Sequence, residues 1–220
     1  FAIAGNIASE ENEDVEEAMI YLEGHSSSEM MTATDGMYGF ANLEENRNYT
    51  IRPEKDIEPL NGVSTYDLVL LSRHILGVQS LDSPYKMIAA DINQSGTITT
   101  FDLVELRKLI LFITTDFADN TSWRFVPAAH QFDNPANPFA SSFPEVYTVN
   151  GLDRMIADAN FVAIKTGDLN GSARMNSLAA TEDRNATETL TLEAADQQLL
   201  AGNEYTVALK AKDFNSIKGY

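Results

Sequence analysis

Two hundred and twenty residues suffice for one large domain or two to three small ones, and 44% hydrophobic residues predict packed domains. Thirty-three acidic against fifteen basic residues give a formal charge of −18, which repels phosphate backbones and anionic lipid, argues against a nucleic-acid partner and favours cations. The absence of cysteine excludes disulfides, a zinc–thiolate site and a thiol nucleophile.

Residues 1–55 read as short strands: FAIAGNI, AMIYLEG, EMMTATDGMYGFANL and NYTIRPE. Met19 and Tyr21 alternate with Ile20 and Leu22, and Asp35-Gly36 is a tight-turn signal before Tyr38 and Phe40, so a small antiparallel β-sandwich is predicted. Residues 1–58 carry 14 acids against Arg47, Arg52 and Lys55; pairs such as Glu16-Glu17 and Glu44-Glu45 read as surface charge. The G-x-I opening, the strand ending in Gly24, the stretch TATDGMYGFANL and the closing YTIRPEKD resemble the carboxypeptidase-regulatory-like, or prealbumin-like, sandwich repeats of secreted bacterial proteins. That resemblance implies a spacer.

Residues 56–115 contain an internal repeat with a shift of 35 residues. Thr65-Tyr66-Asp67-Leu68-Val69 matches Thr100-Phe101-Asp102-Leu103-Val104, and Leu71, Ile75 and Leu76 match Leu106, Ile110 and Leu111. Each copy is predicted to be a loop followed by a helix with apolar residues at three- and four-residue spacing, the first helix stopping at Gly77.

The second loop, DINQSGTITTFD, has the oxygen pattern of a calcium loop: Asp91, Asn93 and Ser95 first, third and fifth, Gly96 sixth, Thr97 seventh, Thr99 ninth and Asp102 twelfth. A solvated, Asx-rich helix cap is the alternative; the filled twelfth position favours Ca2+. The first loop is weaker, because Leu60 falls on a ligand position and its glycine is displaced by one, leaving Asp56, Asn61 and Asp67 as secondary candidates. Aspartate in the twelfth position followed by LVELRKLI resembles a type I dockerin. In that family partner recognition falls on the loop's end and the helix, which implies Thr100, Phe101, Arg107 and Lys108 here, although Phe101 suits a core position equally well.

Residues 116–165 are rich in Pro and Asn and are predicted to be irregular, with Trp123, Phe125, Phe132, Phe139 and Phe143 coating the helical repeat, and to end in FVAIKTGDLNGSA, where a short strand runs into a second acidic turn. Asp168-Leu-Asn-Gly-Ser172 repeats the first, third and fifth pattern, but its twelfth residue is Ala179 and no amphipathic helix follows. Asp168, Asn170 and Ser172 are therefore candidates for an ion completed elsewhere, against a plain Asn-Gly turn.

Residues 174–188 read as a linker, and 189–220 as strands that resemble the start of a cohesin-like sandwich. The predicted fold is mainly β with a small α module: a sandwich over 1–55, a dockerin-like pair with an irregular extension over 56–173, the linker, and C-terminal strands.

His25, His74 and His130 form no nucleophile or metal signature, and no G-x-S-x-G, H-E-x-x-H or phosphate loop occurs, so no enzyme is expected. The three N-x-S/T sequons at Asn48, Asn120 and Asn185 carry little weight. The run from NGVSTYDLVLLSRHILG through NTSWRF to FVAIKTGDLNGSA resembles an assembly in large surface proteins of marine and gliding Bacteroidota. It implies an exported fibre, adhesin or matrix module, a piece of a longer polypeptide at the cell surface or outside the cell. Expected partners are copies of itself, joined through the C-terminal strands, a cohesin-like domain, or extracellular polysaccharide; no membrane insertion is expected. The alternative is an ancillary dockerin-bearing region of a secreted polysaccharide-degrading enzyme.

Overall fold

The computed structural model describes residues 1–176 together with the backbone of 191–194 and 209–212. The chain divides into two compact units, Phe1–Ala179 and Ala180–Tyr220.

Residues 1–55 supply five strands of the first unit: β1 (Ala2–Ala8), β2 (Met19–Gly24), β3 (Ser28–Met31), β4 (Met37–Ala41) and β5 (Tyr49–Glu54). Their period-two patterning places Ile3 and Ile7, Ile20 and Leu22, Tyr38 and Phe40, and Tyr49 and Ile51 inside. Asp35-Gly36 does turn the chain, with Gly36 at φ 63°, but the flanking strands separate: β3 pairs with β2 and β4 with β1.

These strands do not form a closed set. Three helices follow, α1 (Thr65–Ile75), α2 (Pro84–Ala90) and α3 (Thr100–Ile110), and then β6 (Trp123–Pro127), β7 (Tyr147–Val149) and β8 (Phe161–Lys165) return to the same sheets. One sheet runs β4-β1-β8-β6, the other β3-β2-β5-β7. The second is antiparallel; the first is mixed, because β8 lies parallel to β1 with Ile7 opposite Phe161. A parallel neighbour requires a long crossover, and the helices lie within it. The boundary predicted near residue 55 is thus corrected: 1–55 and 116–165 build both sheets together, around one core holding Ile3, Ile20 and Ile51 with Trp123, Phe125 and Phe161.

The segment predicted to be irregular contains β6 and β7, and the short strand expected at FVAIK is β8. Alternation is missing from β6 because all five of its residues are buried. Phe125 and Ala163 face the core between the sheets, while Val126 and Ile164 face a second core with Leu71, Ile88 and Leu106 of the helices. Of the predicted aromatic coat, Trp123 and Phe125 belong to the first core, whereas Phe132, Phe139 and Phe143 do pack against the helices.

The helices begin on built caps. Ser64 and Thr99 form capping boxes with Asp67 and Asp102, and Ser83 caps α2 ahead of Pro84. Helix α1 ends as predicted, with Gly77 at φ 67°. In the second copy Phe112 takes the same place at φ 55°, donating to Leu109 O as Gly77 does to His74 O.

In the second unit β9 (Thr191–Ala194) and β10 (Leu209–Lys212) pair antiparallel. The rest of the predicted cohesin-like strands, and the linker beyond Asn176, lie outside the described residues. No helix among the described residues is long and apolar enough to cross a membrane.

Candidate metal centre

Asp91 caps the end of α2 and Thr99 the start of α3, so helices hold the loop between them at both ends. The Asp91 carboxylate turns the chain back on itself: Oδ1 accepts from Ser95 N at 2.9 Å and Oδ2 from Gly96 N at 2.8 Å. Asn93 Oδ1 accepts from the same Ser95 N–H at 3.2 Å, and Ser95 Oγ donates to Thr97 O at 3.1 Å. Gln94 and Gly96 both take left-handed φ angles, 53° and 75°, which tightens the turn.

Asp102 closes the loop from the first turn of α3. Its Oδ1 accepts from Ile92 N at 2.9 Å and Asn93 N at 3.3 Å, and its Oδ2 from Thr99 N at 2.7 Å and Thr99 Oγ1 at 3.2 Å. Asn120 anchors the loop from outside, donating from Nδ2 to Asp91 O at 2.9 Å. Asp91 and Asp102 are buried, while Ser95 and Thr97 reach solvent. Burial raises the Asp91 carboxyl above the ordinary aspartate range and the charge of Asp102 adds to the rise, against the backbone N–H groups of Gly96 and Ser95.

A second arrangement repeats this one with a break in the chain. Asp168 Oδ1 accepts from Ser172 N at 3.2 Å and Oδ2 from Ala173 N at 2.7 Å, as Asp91 does from Ser95 and Gly96. Asn170 Oδ1 accepts from Ser172 N at 3.1 Å, as Asn93 does from Ser95. Ser172 Oγ donates at 3.0 Å to Gly62 O, the residue that the repeat aligns with Thr97. Asp67 Oδ1 accepts from Leu169 N at 2.8 Å, as Asp102 does from Ile92. The front half of this loop is therefore 168–173 and its back half 62–67.

The alignment that starts the first copy at Asp56 is corrected accordingly. Asp56 Oδ1 accepts from Ser122 N at 2.7 Å, away from the turn, and Asn61 exchanges two 2.8 Å bonds with the backbone of Arg174. Ala179, the formal twelfth position after Asp168, lies outside the described residues; Asp67 occupies that role.

Among the described residues no three His, Cys, Asp or Glu side chains converge. Each loop instead joins two carboxylates to an amide oxygen, a hydroxyl and a backbone carbonyl. All are hard oxygen donors, of the kind calcium takes and thiophilic metals do not.

Thr100, Phe101 and Arg107 are exposed and Lys108 is half-buried, 2.6 Å from Glu105. The core reading of Phe101 does not hold, since its side chain is 71% exposed. Its counterpart Tyr66 is exposed too, and so are Val69 and Val104 on the same two helices and Leu76 and Leu111 at their C-caps. The histidines are occupied structurally: His25 contacts Glu44 at 3.0 Å, His74 Nδ1 accepts from Leu81 N, and His130 packs edge-on against Phe132.

Comparison with protein-family models, with curated proteins and with solved structures finds no match for this chain.

Proposed function

We propose that this chain is a non-catalytic, calcium-stabilised structural module of a bacterial surface fibre, adhesin or matrix, with a dockerin-like loop and helix pair set into a β-sandwich. One observation carries the reading. The oxygens of Asp91, Asn93, Ser95, Thr97 and Asp102 gather in one loop, with two buried carboxylates inside and a polar rim open to solvent. Two buried like charges are costly by themselves, and a divalent cation relieves both. The two long contacts to Asp102, from Asn93 N and Thr99 Oγ1, are those an ion would displace.

An ion bound only by the folded state stabilises it by mass action, about 2.7 kcal/mol at a hundredfold excess over Kd. Outside a cell, where calcium is abundant, such a module stays closed. Calorimetry with millimolar calcium and with chelator tests this: the midpoint should fall clearly on chelation, and an unchanged midpoint overturns the reading.

The exposed face of α1 and α3 favours a second reading, a region that docks to a cohesin-like domain on a scaffold. Electron microscopy of the purified chain separates the two readings, filaments supporting the first; a 1:1 complex with a cohesin, lost in Phe101→Ala, supports the second.

A further inference from the structure

We infer that the cavity at the open end of the inter-sheet core is a binding site for a neutral saccharide, in which Lys55 and Trp123 supply hydrogen-bond donors to the sugar's oxygens. The inference shares no residue with either acidic loop and is independent of the calcium reading.

The inward positions of β5 are Tyr49, Ile51 and Pro53, and the alternation runs on past the strand to Lys55. A lysine therefore stands where an apolar residue would close the core. Beside it lies a cavity of about 630 Å³, bounded by the end of β5, the start of β2 and β6, and within the range that holds a small organic ligand. The opening follows from the chain path. Strand β7 pairs with Tyr49–Ile51 alone, and Glu145, just before it, turns to Arg124 of β6, so the Arg52–Glu54 half of β5 has no strand on that side among the described residues.

Two buried donors in the cavity wall are short of acceptors. Lys55 is 8% exposed, yet among the described residues it makes no ion pair, and its ammonium lies 5.2 Å from the centre of the Trp123 ring. Of its three N–H hydrogens one is used, in a bond to Glu16 O. Burial holds this ammonium below the ordinary lysine range, against the charges of Glu17, Glu58 and Glu16. Trp123 is 2% exposed and its Nε1 has no hydrogen-bond partner among the described residues, although a buried indole N–H usually finds one. Packing accounts for the two side chains. It does not account for an ammonium and an indole N–H left without acceptors beside a cavity large enough to bring them.

The wall also decides the charge of the ligand. Glu17, Glu54, Asp56 and Glu145 stand against Arg52, Lys55 and Arg124, on a chain of formal charge −18. An anion would meet those carboxylates, and a cation would meet Lys55. Arg52 is held by Glu23 and Glu54, and Arg124 by Glu145, which fixes these groups in place and leaves them lone pairs and hydrogens to spare. What fits is a neutral molecule that both accepts and donates, with an apolar face for Met19, Ile57 and Val146. A pyranose, with its ring of hydroxyls and its C–H face, has both. An added peptide strand fits less well, because Pro53 lies in the middle of the open stretch of β5 and has no N–H to give.

Trp123 is the chain's single tryptophan, so its fluorescence reads the site directly. The test titrates the full chain, at fixed calcium, with neutral trisaccharides of glucose, mannose, galactose and xylose, and with trigalacturonic acid as the charged probe. A saturating change in emission with at least one neutral probe is expected. Lys55→Met should weaken that binding about tenfold or more, as the loss of a charged hydrogen bond does, while Phe101→Ala on the helical face leaves it unchanged. Circular dichroism checks folding; if Lys55→Met does not fold, Ile57→Ala at the exposed rim takes its place and should weaken binding about threefold. No response to any probe, a response to trigalacturonic acid alone, or an affinity that survives the cavity variant overturns the inference.

Discussion

Asp67 and Asp102 hold the same place in two loops, each accepting a backbone N–H from the second residue of an acidic turn, Leu169 for one and Ile92 for the other. Asp102 finds its turn immediately upstream; Asp67 finds it a hundred residues downstream. The carboxylates therefore have structural work that is separate from any ion.

That separation is measurable. Asp102→Ala strips the acceptor from Ile92, Asn93 and Thr99 and ends the capping box of α3. In chelator, where no ion contributes, it should still destabilise the fold by about 3 kcal/mol in urea denaturation. A loss under about 0.5 kcal/mol would mean that these bonds carry nothing without the metal.

Gly62 and Gly96 share nearly the same backbone angle, φ 74° and 75°, but differ in their surroundings. A Cβ at Gly96 meets nothing within 4 Å, whereas one at Gly62 collides with Ala173. Gly96→Ala should cost about 1 kcal/mol for the left-handed angle alone, and Gly62→Ala at least about 2 kcal/mol more for prising the two halves apart. Equal losses in parallel denaturation curves would refute the seam.

Phe112 adopts at the end of α3 the left-handed angle that Gly77 supplies at the end of α1, and its side chain is 72% exposed. Phe112→Gly relieves that strain and forfeits little burial. A gain of about 0.5–1 kcal/mol is expected, read as a higher thermal midpoint.

Lys165 is packed between the rings of Trp123 and Phe117, and burial depresses its ammonium from 10.5 to about 8. Between those values the unfolded chain holds a proton that the folded chain has released, so stability rises with pH through this window, by up to about 3 kcal/mol. Above pH 10 the buried Tyr38 hydroxyl opposes the trend, because burial keeps it protonated in the fold after the unfolded chain has ionised. Denaturation at pH 7.5, 9 and 10, at fixed calcium, should show the rise in wild type and lose it in Lys165→Met; a slope surviving in the variant assigns it to other groups.

The sequence displays the contiguous loop in full because all of its oxygen-bearing positions fall within twelve residues on either side of one glycine. The split loop was legible only in halves. Leu60 and the displaced glycine showed that the first copy lacked a proper front, and Asp168-Leu-Asn-Gly-Ser172 showed a front with no back, but strand pairing brings the two together and spacing cannot reveal it. Strand β6 escaped for a related reason: burial on both faces erases the alternation that betrays β2 and β4, whereas FVAIK reads as a short strand and is β8. Helix α2 is short, with Met87 to Ala90 all buried, and only Ser83-Pro84 marks its start.

Strand β8 lies between β1 and β6 at the centre of its sheet, although it is the last strand of the first unit to be made. A chain that emerges from the ribosome amino-terminus first thus carries β1 with one edge open until Lys165 has followed. Neither core can close on the way out. The unit therefore assembles only once its last strand is present, at the slow pace that long-range pairing imposes.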